Sequence, residues 1–251
     1  MEASTARHTI EIFQVDQTLR GARARGYDVE GILRRARIPL SLLQSRSSRV
    51  TLNQYASLLL VLRHAMHDEF WGLCSQPVPV GSFAYCCRTA IRATTLREAI
   101  TTGFGFYRLV LSDFSPHFRV ANGQAVIALP TRVQPDANLF YALRSFTFLS
   151  FGLLSWLIGR RLELRSVQFP DDPSSSGRDV VRMFHAPVDH QAEHAGFIFD
   201  ARWLDLPVVR NEESLREFLQ QAPANLLVSY RDPARVSERI RALLKSQLHA
   251  E

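Results

Sequence analysis

Lysine is almost missing from this chain. Lys245 is the only one among 30 basic residues in 251, so arginine carries nearly all the positive charge. A formal net charge of +6 leans toward anionic partners such as nucleic acid. The arginines are scattered, however, and no block of them forms a stripe that would track a phosphate backbone. A solvated surface that uses arginine as its default cation fits the same numbers. Cysteine is scarce too. Cys74, Cys86 and Cys87 are an odd set with two neighbours adjacent, which excludes the disulfide framework of a small secreted domain. Free thiols in a reducing, cytoplasmic compartment are expected, with redox sensing at Cys86–Cys87 open beside the reading of small buried thiols. A basic segment followed by a short apolar run, the mark of a secretory signal, is missing from the start of the sequence. Internal repeats and low-complexity runs are missing as well.

Catalytic signatures are equally sparse. The sequence has no G-x-G-x-x-G, no P-loop, no G-x-S-x-G and no H-E-x-x-H. His185, His190 and His194 lie close in sequence, but their spacing suits neither one helix face nor one strand face. No carboxylate or cysteine completes a recognisable ligand set around them. Asp171-Asp172 and Glu212-Glu213 stand beside loops or helix starts, where the helix dipole accounts for them. Neither an enzyme, a metal site nor a cofactor is expected.

One stretch dominates what is present. Asp136 to Arg161 (DANLFYALRSFTFLSFGLLSWLIGRR) is the longest apolar passage, with no charged residue between Arg144 and Arg160. A helix apolar on all sides is buried in a large core or spans a membrane. The uncharged run is shorter than the roughly 18–20 residues a span needs, and arginines interrupt its flanks, so a central core helix and no membrane contact are expected. Asp136 stands where an N-cap would be, and Arg160 and Arg161 where cations favour the carbonyl end.

Around it the pattern is mixed. Helices are predicted over Ile10–Arg25, Val29–Arg37 behind an Asp28 cap, and from Thr51, whose partner Gln54 completes a capping box. A further short helix is predicted from His67 to about Gly72, then two more over Phe83–Arg92 and from Thr95 past Phe104. From Tyr107 the period shortens. Leu109–Asp113, Phe118–Ala121 and Ala125–Leu129 read as strands, the last two joined by Asn122-Gly123, a strong hairpin signal. Beyond the central helix, strands are predicted at Leu162–Phe169, Ala186–Val188 and Gly196–Asp200. Short helices are predicted at Val180–Phe184 and Glu213–Gln221, and a last helix from about Ser237. Helices first, then a small antiparallel sheet packed by the long central helix, make an α+β fold. A β-barrel would need many more strands.

Seven residues form a candidate binding set. Phe104, Tyr107 and Arg108 end the helix before the sheet, and Phe140, Arg144, Phe148 and Trp156 line the central helix. Ligand pockets are mostly apolar and aromatic with a few placed polar groups. Arginines among aromatics are the kind of cation that meets a carboxylate or phosphate. The alternative is that the aromatics fill the core while both arginines reach solvent. A seam between two chains, with Phe148, Phe151 and Ser155 facing the partner, is a further use of the same helix.

Eight successive pieces carry a resemblance. They are GILRRARIPLSLL (Gly31–Leu43), RVTLNQYASLL (Arg49–Leu59), DEFWGL (Asp68–Leu73), PVPVGSFAYCCRTAIRATTLREAI (Pro77–Ile100), FGFYRLV (Phe104–Val110), SWLIGRRL (Ser155–Leu162), MFHAPVDHQAEHAGFIFDARWLDLPV (Met183–Val208) and APANLLV (Ala222–Val228). In this order the chain resembles the N-terminal effector-binding, arabinose-binding-like domain of AraC/XylS-type bacterial transcription regulators. The subgroup is that of ornithine-utilisation regulators and mycobacterial VirS-like proteins. The resemblance implies an effector-binding and dimerising domain over residues 1–232. Residues 233–251 would then be a linker and the start of a C-terminal domain with two helix-turn-helix units, which this sequence does not contain. It also implies a small-molecule effector, a homodimer, and DNA contact only through that second domain. The arginines among aromatics favour an amphipathic acid as effector. A ligand-free dimerisation module is the alternative.

Overall fold

The computed structural model describes residues 9–170 and 184–222. Its helices start where side chains can satisfy the free amide groups of a first turn. A short strand, β1 (Thr9–Glu11), leads directly into α1 (Ile12–Ala24), and Gly26 takes a positive φ of 73° just past its end. The carboxylate of Asp28 accepts the Gly31 N–H at 2.9 Å and opens α2 (Val29–Arg35). β2 (Arg49–Thr51) pairs antiparallel with β1, a small ribbon that the helical pattern around Ile10 conceals. Thr51 and Gln54 then bond reciprocally to each other's backbone N–H, the predicted capping box of α3 (Leu52–Met66).

Residues 67–72 form turns rather than the predicted helix. The chain wraps around the Asp68 carboxylate, which is fully buried and accepts N–H bonds from Phe70, Gly72 and Val78 at 2.8, 2.7 and 2.9 Å. Backbone donors drawn to one side chain cannot also extend a helix. The turn presses on α1. A Cβ on Gly21 would lie 2.2 Å from the Trp71 carbonyl oxygen, so this crossing requires glycine.

α4 (Ser82–Ala90) and α5 (Leu96–Val110) follow. α5 runs on as helix through Leu109 and Val110, where a strand was predicted. The apparent alternation there is a helix crossing from core to solvent: Tyr107 is buried while Leu109 is 86% exposed. The Asn122-Gly123 pair sits as predicted between β3 (His117–Ala121) and β4 (Gln124–Leu129), with φ of 51° and 70°. Asp136 accepts the Leu139 N–H at 2.8 Å and opens α6 (Ala137–Leu157). Then come β5 (Leu164–Gln168), β6 (Val188–Asp189), β7 (Ala195–Asp200) and α7 (Glu212–Gln221), which is capped by Asn211.

The main sheet has the order β3-β4-β7-β5-β6, antiparallel throughout except for the parallel pair β5–β6. Phe197 and Phe199 of the central strand β7 are completely buried. The fold is the α+β arrangement expected, with helices on a small sheet and α6 as its buried axis. By length and composition α6 could cross a membrane, but 67% of its most apolar window is buried inside the protein. The predicted helix from Ser237 lies outside the described residues, as does most of Val180–Phe184.

Candidate functional site

Three helices enclose a narrow groove, and each supplies a helical stripe to it. Phe83, Cys86 and Ala90 come from α4, and Ala99, Ile100, Gly103, Phe104 and Tyr107 from α5. α6 gives Phe146, Leu149, Ser150, Leu153, Leu154 and Leu157, the i, i+3, i+4, i+7 spacing of a single helix face. The space between these side chains is about 430 Å³ with the open mouth included, but the part clear of all atoms holds about one water, so a larger guest enters only by parting the helices. Gly103 keeps α5 close to α4, since a Cβ there would sit 3.1 Å from the Cys86 Sγ.

Among the described residues, no charged side chain lines the groove. Its polar side chains are those of Tyr107, Cys86 and Ser150. Tyr107 is held by ring contacts, edge-on to Phe146 with centroids 5.0 Å apart and beside Phe106 at 5.4 Å. Contacts of this kind are worth about 0.5–1.5 kcal/mol each beyond the buried area. Its hydroxyl makes no hydrogen bond to any described residue, and neither does that of Ser150. The contrast within α6 is informative. Thr147 and Ser155 donate to the carbonyl oxygens of Leu143 and Phe151, both at 2.8 Å, whereas Ser150, which lines the groove, makes no such bond to a described residue.

Glu69 lies behind this wall. Its carboxylate accepts N–H bonds from Gly81 and Phe83, both at 2.7 Å, and burial raises its pKa above the ordinary carboxylate value. Burial also pushes the Cys86 thiol up to about 12 and the Tyr107 phenol well above its usual value, and the negative charge of Glu69 adds to both. At neutral pH the groove therefore presents uncharged donors and acceptors.

The structure distributes the seven candidate residues over several places. Phe104 and Tyr107 line the groove. Arg108 is exposed on the outer side of α5 and donates to the Pro116 carbonyl oxygen at 3.3 Å. Phe140 and Arg144 line a separate, smaller hollow of about 190 Å³ with Leu143, Phe169 and Ala195, and the Arg144 guanidinium stands 5.7 Å from the centroid of the Phe169 ring. Phe148 turns to Phe184, with centroids 6.2 Å apart. Trp156 stacks on Phe218 of α7 at 4.2 Å and 18°, with the Arg210 guanidinium 5.3 Å from its centroid.

Reading aromatics and arginines along the sequence passes over the groove's smaller residues, Cys86, Gly103 and Ser150. The signal that would find them is the coincidence of three helical stripes, one of which carries a hydroxyl in an otherwise apolar row. Among the described residues, no three His, Cys, Asp or Glu side chains gather as metal ligands would. Arg160 and Arg161, expected at the carbonyl end of α6, lie 4.8 Å and 5.0 Å from the ring centroids of Trp203 and Phe151.

An apolar groove inside an α+β fold is a candidate ligand-binding site. Comparison with known families sharpens that reading. The family described as the arabinose-binding domain of AraC transcription regulators, N-terminal, matches residues 26–208. This is most of the chain, and it spans all three helices of the groove; the chain belongs to that family. No curated protein matches it. Among solved structures, the transcriptional regulator CdpR from Pseudomonas aeruginosa is similar, with a TM-score of 0.44 and 15% identity over 93% of this chain and 70% of that one.

Proposed function

We propose that this chain is the effector-sensing half of an AraC/XylS-type transcription regulator. It binds a small molecule in the groove between α4, α5 and α6 and works in the cytoplasm as a homodimer. Through that ligand it controls DNA binding by a helix-turn-helix domain attached beyond residue 232. The observation that carries the reading is the groove itself, an apolar lining from three helices that includes Tyr107 and Ser150, whose hydroxyls bond to no described residue. Phe218 of α7 rests against both Trp156 of α6 and Phe83 of the groove, with ring centroids 4.2 and 6.1 Å apart. A ligand that parts α4 from α6 therefore disturbs the seat of the helix leading toward the second domain. A switch of this kind needs the ligand to prefer one arrangement over the other.

A thermal-shift screen of this chain against small acids, alcohols, lipids and amino acids tests the first half. An effector at 100 times its dissociation constant adds about 2.7 kcal/mol of stability. The second half is tested by titrating the same compound into operator binding by this chain joined to a helix-turn-helix domain. Binding without any effect on DNA affinity sinks the regulatory reading.

The hollow at Arg144 supports a second reading. There the guanidinium stands beside the Phe169 ring and Phe140, and an amphipathic acid would place its carboxylate at the arginine and its apolar part on the rings. An Arg144→Gln chain that still binds the acid with unchanged affinity rules this out. A ligand-free dimerisation module, the remaining alternative, draws no support from a groove beside Tyr107.

A further inference from the structure

The effector reading leaves the chemistry of the ligand open, and the groove narrows it. Its lining combines apolar side chains from three helices with the Tyr107 and Ser150 hydroxyls, which bond to nothing else described. Tyr107 is only 7% exposed, lines the groove, and its hydroxyl bonds to no described residue. Each hydroxyl can both donate and accept. The two arginines that would receive an anionic head group are elsewhere: Arg108 on the outer face of α5, and Arg144 at a different hollow. The Glu69 carboxylate is anchored beside the lining through the N–H of Phe83, itself a lining residue.

We infer that the groove, opened as α4 and α6 part, takes an uncharged, largely apolar small molecule bearing one hydroxyl or carbonyl, which bonds to Tyr107 and Ser150. Rejection of carboxylates is built into the same lining. An ionised carboxylate placed there would lose its water shell, meet no cation, and face the negative charge of Glu69. Burial of an unpaired charge of this kind is far more costly than burial of a hydroxyl that finds a partner. The inference rests on the effector-binding reading and fixes its ligand class.

A matched pair of probes tests it on the 251-residue chain. Binding of 1-octanol and of octanoate is measured at pH 8 by calorimetry and by thermal shift, with wild type, Tyr107→Phe and Ser150→Ala. Neither substitution removes a hydrogen bond of the fold, so both variants should melt close to wild type. Octanol should bind, and octanoate at least tenfold more weakly. Each substitution should weaken octanol by about two- to tenfold, the range for loss of one neutral hydrogen bond. Octanoate binding as tightly as octanol overturns the uncharged ligand while leaving effector sensing intact. Octanol binding that neither substitution changes overturns the placement in the groove. If neither probe binds and the broader screen also finds nothing, the effector reading falls with it.

Discussion

The hydroxyls of Tyr55 and Tyr141 lie 3.0 Å apart although 86 positions separate them in the chain. Thr18 joins them, its hydroxyl 2.9 Å from Tyr55 and 3.1 Å from Tyr141, so that α1, α3 and the first turns of α6 meet at one buried polar point. Thr18 also donates to the Gln14 carbonyl oxygen at 2.7 Å. Closed networks of this type fix one arrangement of helices where apolar surfaces alone would permit sliding. Tyr141→Phe and Tyr55→Phe should each cost about 1 kcal/mol in urea unfolding. In a double-mutant cycle they should show a coupling of at least about 0.5 kcal/mol. Strict additivity would mean that the two hydroxyls act independently.

Asp68 organises the turn between α3 and α4. Its three N–H donors leave no room for a side chain that donates in return. Asp68→Asn keeps the shape but sets an amide N–H₂ against one of those donors. A loss of about 2–3 kcal/mol is expected, the size of a broken charge-assisted bond with its donor left unpaired. Chemical denaturation of the variant measures it directly.

Gly21 makes a sharper case. The Cβ of Gly21→Ala would overlap backbone, not a movable side chain, at the Trp71 carbonyl. Alanine favours a helix by about 1 kcal/mol over glycine, and here the clash outweighs that gain. The variant should be destabilised by more than about 2 kcal/mol. Gly103→Ala is the contrasting control, because its Cβ meets the Cys86 Sγ at 3.1 Å, which a small shift relieves. Its melting temperature should stay near that of wild type.

Stability should also depend on pH through Glu69. Burial raises its carboxyl pKa above the ordinary value of 4.5 in the folded state. The folded protein thus holds that proton over a range where the unfolded chain has released it. Its contribution is fully present below the unfolded pKa and is lost as pH rises through the folded one. The stability of wild type relative to Glu69→Gln should therefore fall with rising pH in the window just above 4.5, then level off. Urea melts of both proteins between pH 4 and 7 give the slope, and a difference that grows with pH would contradict the assignment.

The parts of the fold written in local chemistry could be read from the sequence. Asp28, Thr51 with Gln54, Asp136 and Asn211 each announce a helix start, and Asn122-Gly123 announces its hairpin. Elements that depend on distant partners could not. β1 exists because β2 lies beside it, and the 67–72 turn exists because one carboxylate recruits donors from as far as Val78. The end of α5 is hidden from a sequence reading because the alternation of buried and exposed positions past Tyr107 imitates a strand. The same limit governs the site. Phe104 and Tyr107 were visible as aromatics, but sequence alone could not show that Arg108 and Arg144 leave them for other surfaces. Nor could it show that Cys86, Gly103 and Ser150 join them, which only the packing of three helices decides.

The pairing of β4 with β7 has a bearing on how the chain is made. Gln124 aligns with Asp200 and Leu129 with Ala195, and the whole of α6 lies between these partners in sequence. During synthesis the β3–β4 hairpin emerges first and waits, with the inner edge of β4 open, until the long apolar helix and two further strands have followed. Contacts between such distant segments form late, and an unpaired strand beside an apolar helix is an invitation to self-association. Any shortened chain that stops before Ala195 keeps both hazards permanently. The boundary of the smallest well-behaved fragment is thus set by a strand that carries no part of the groove.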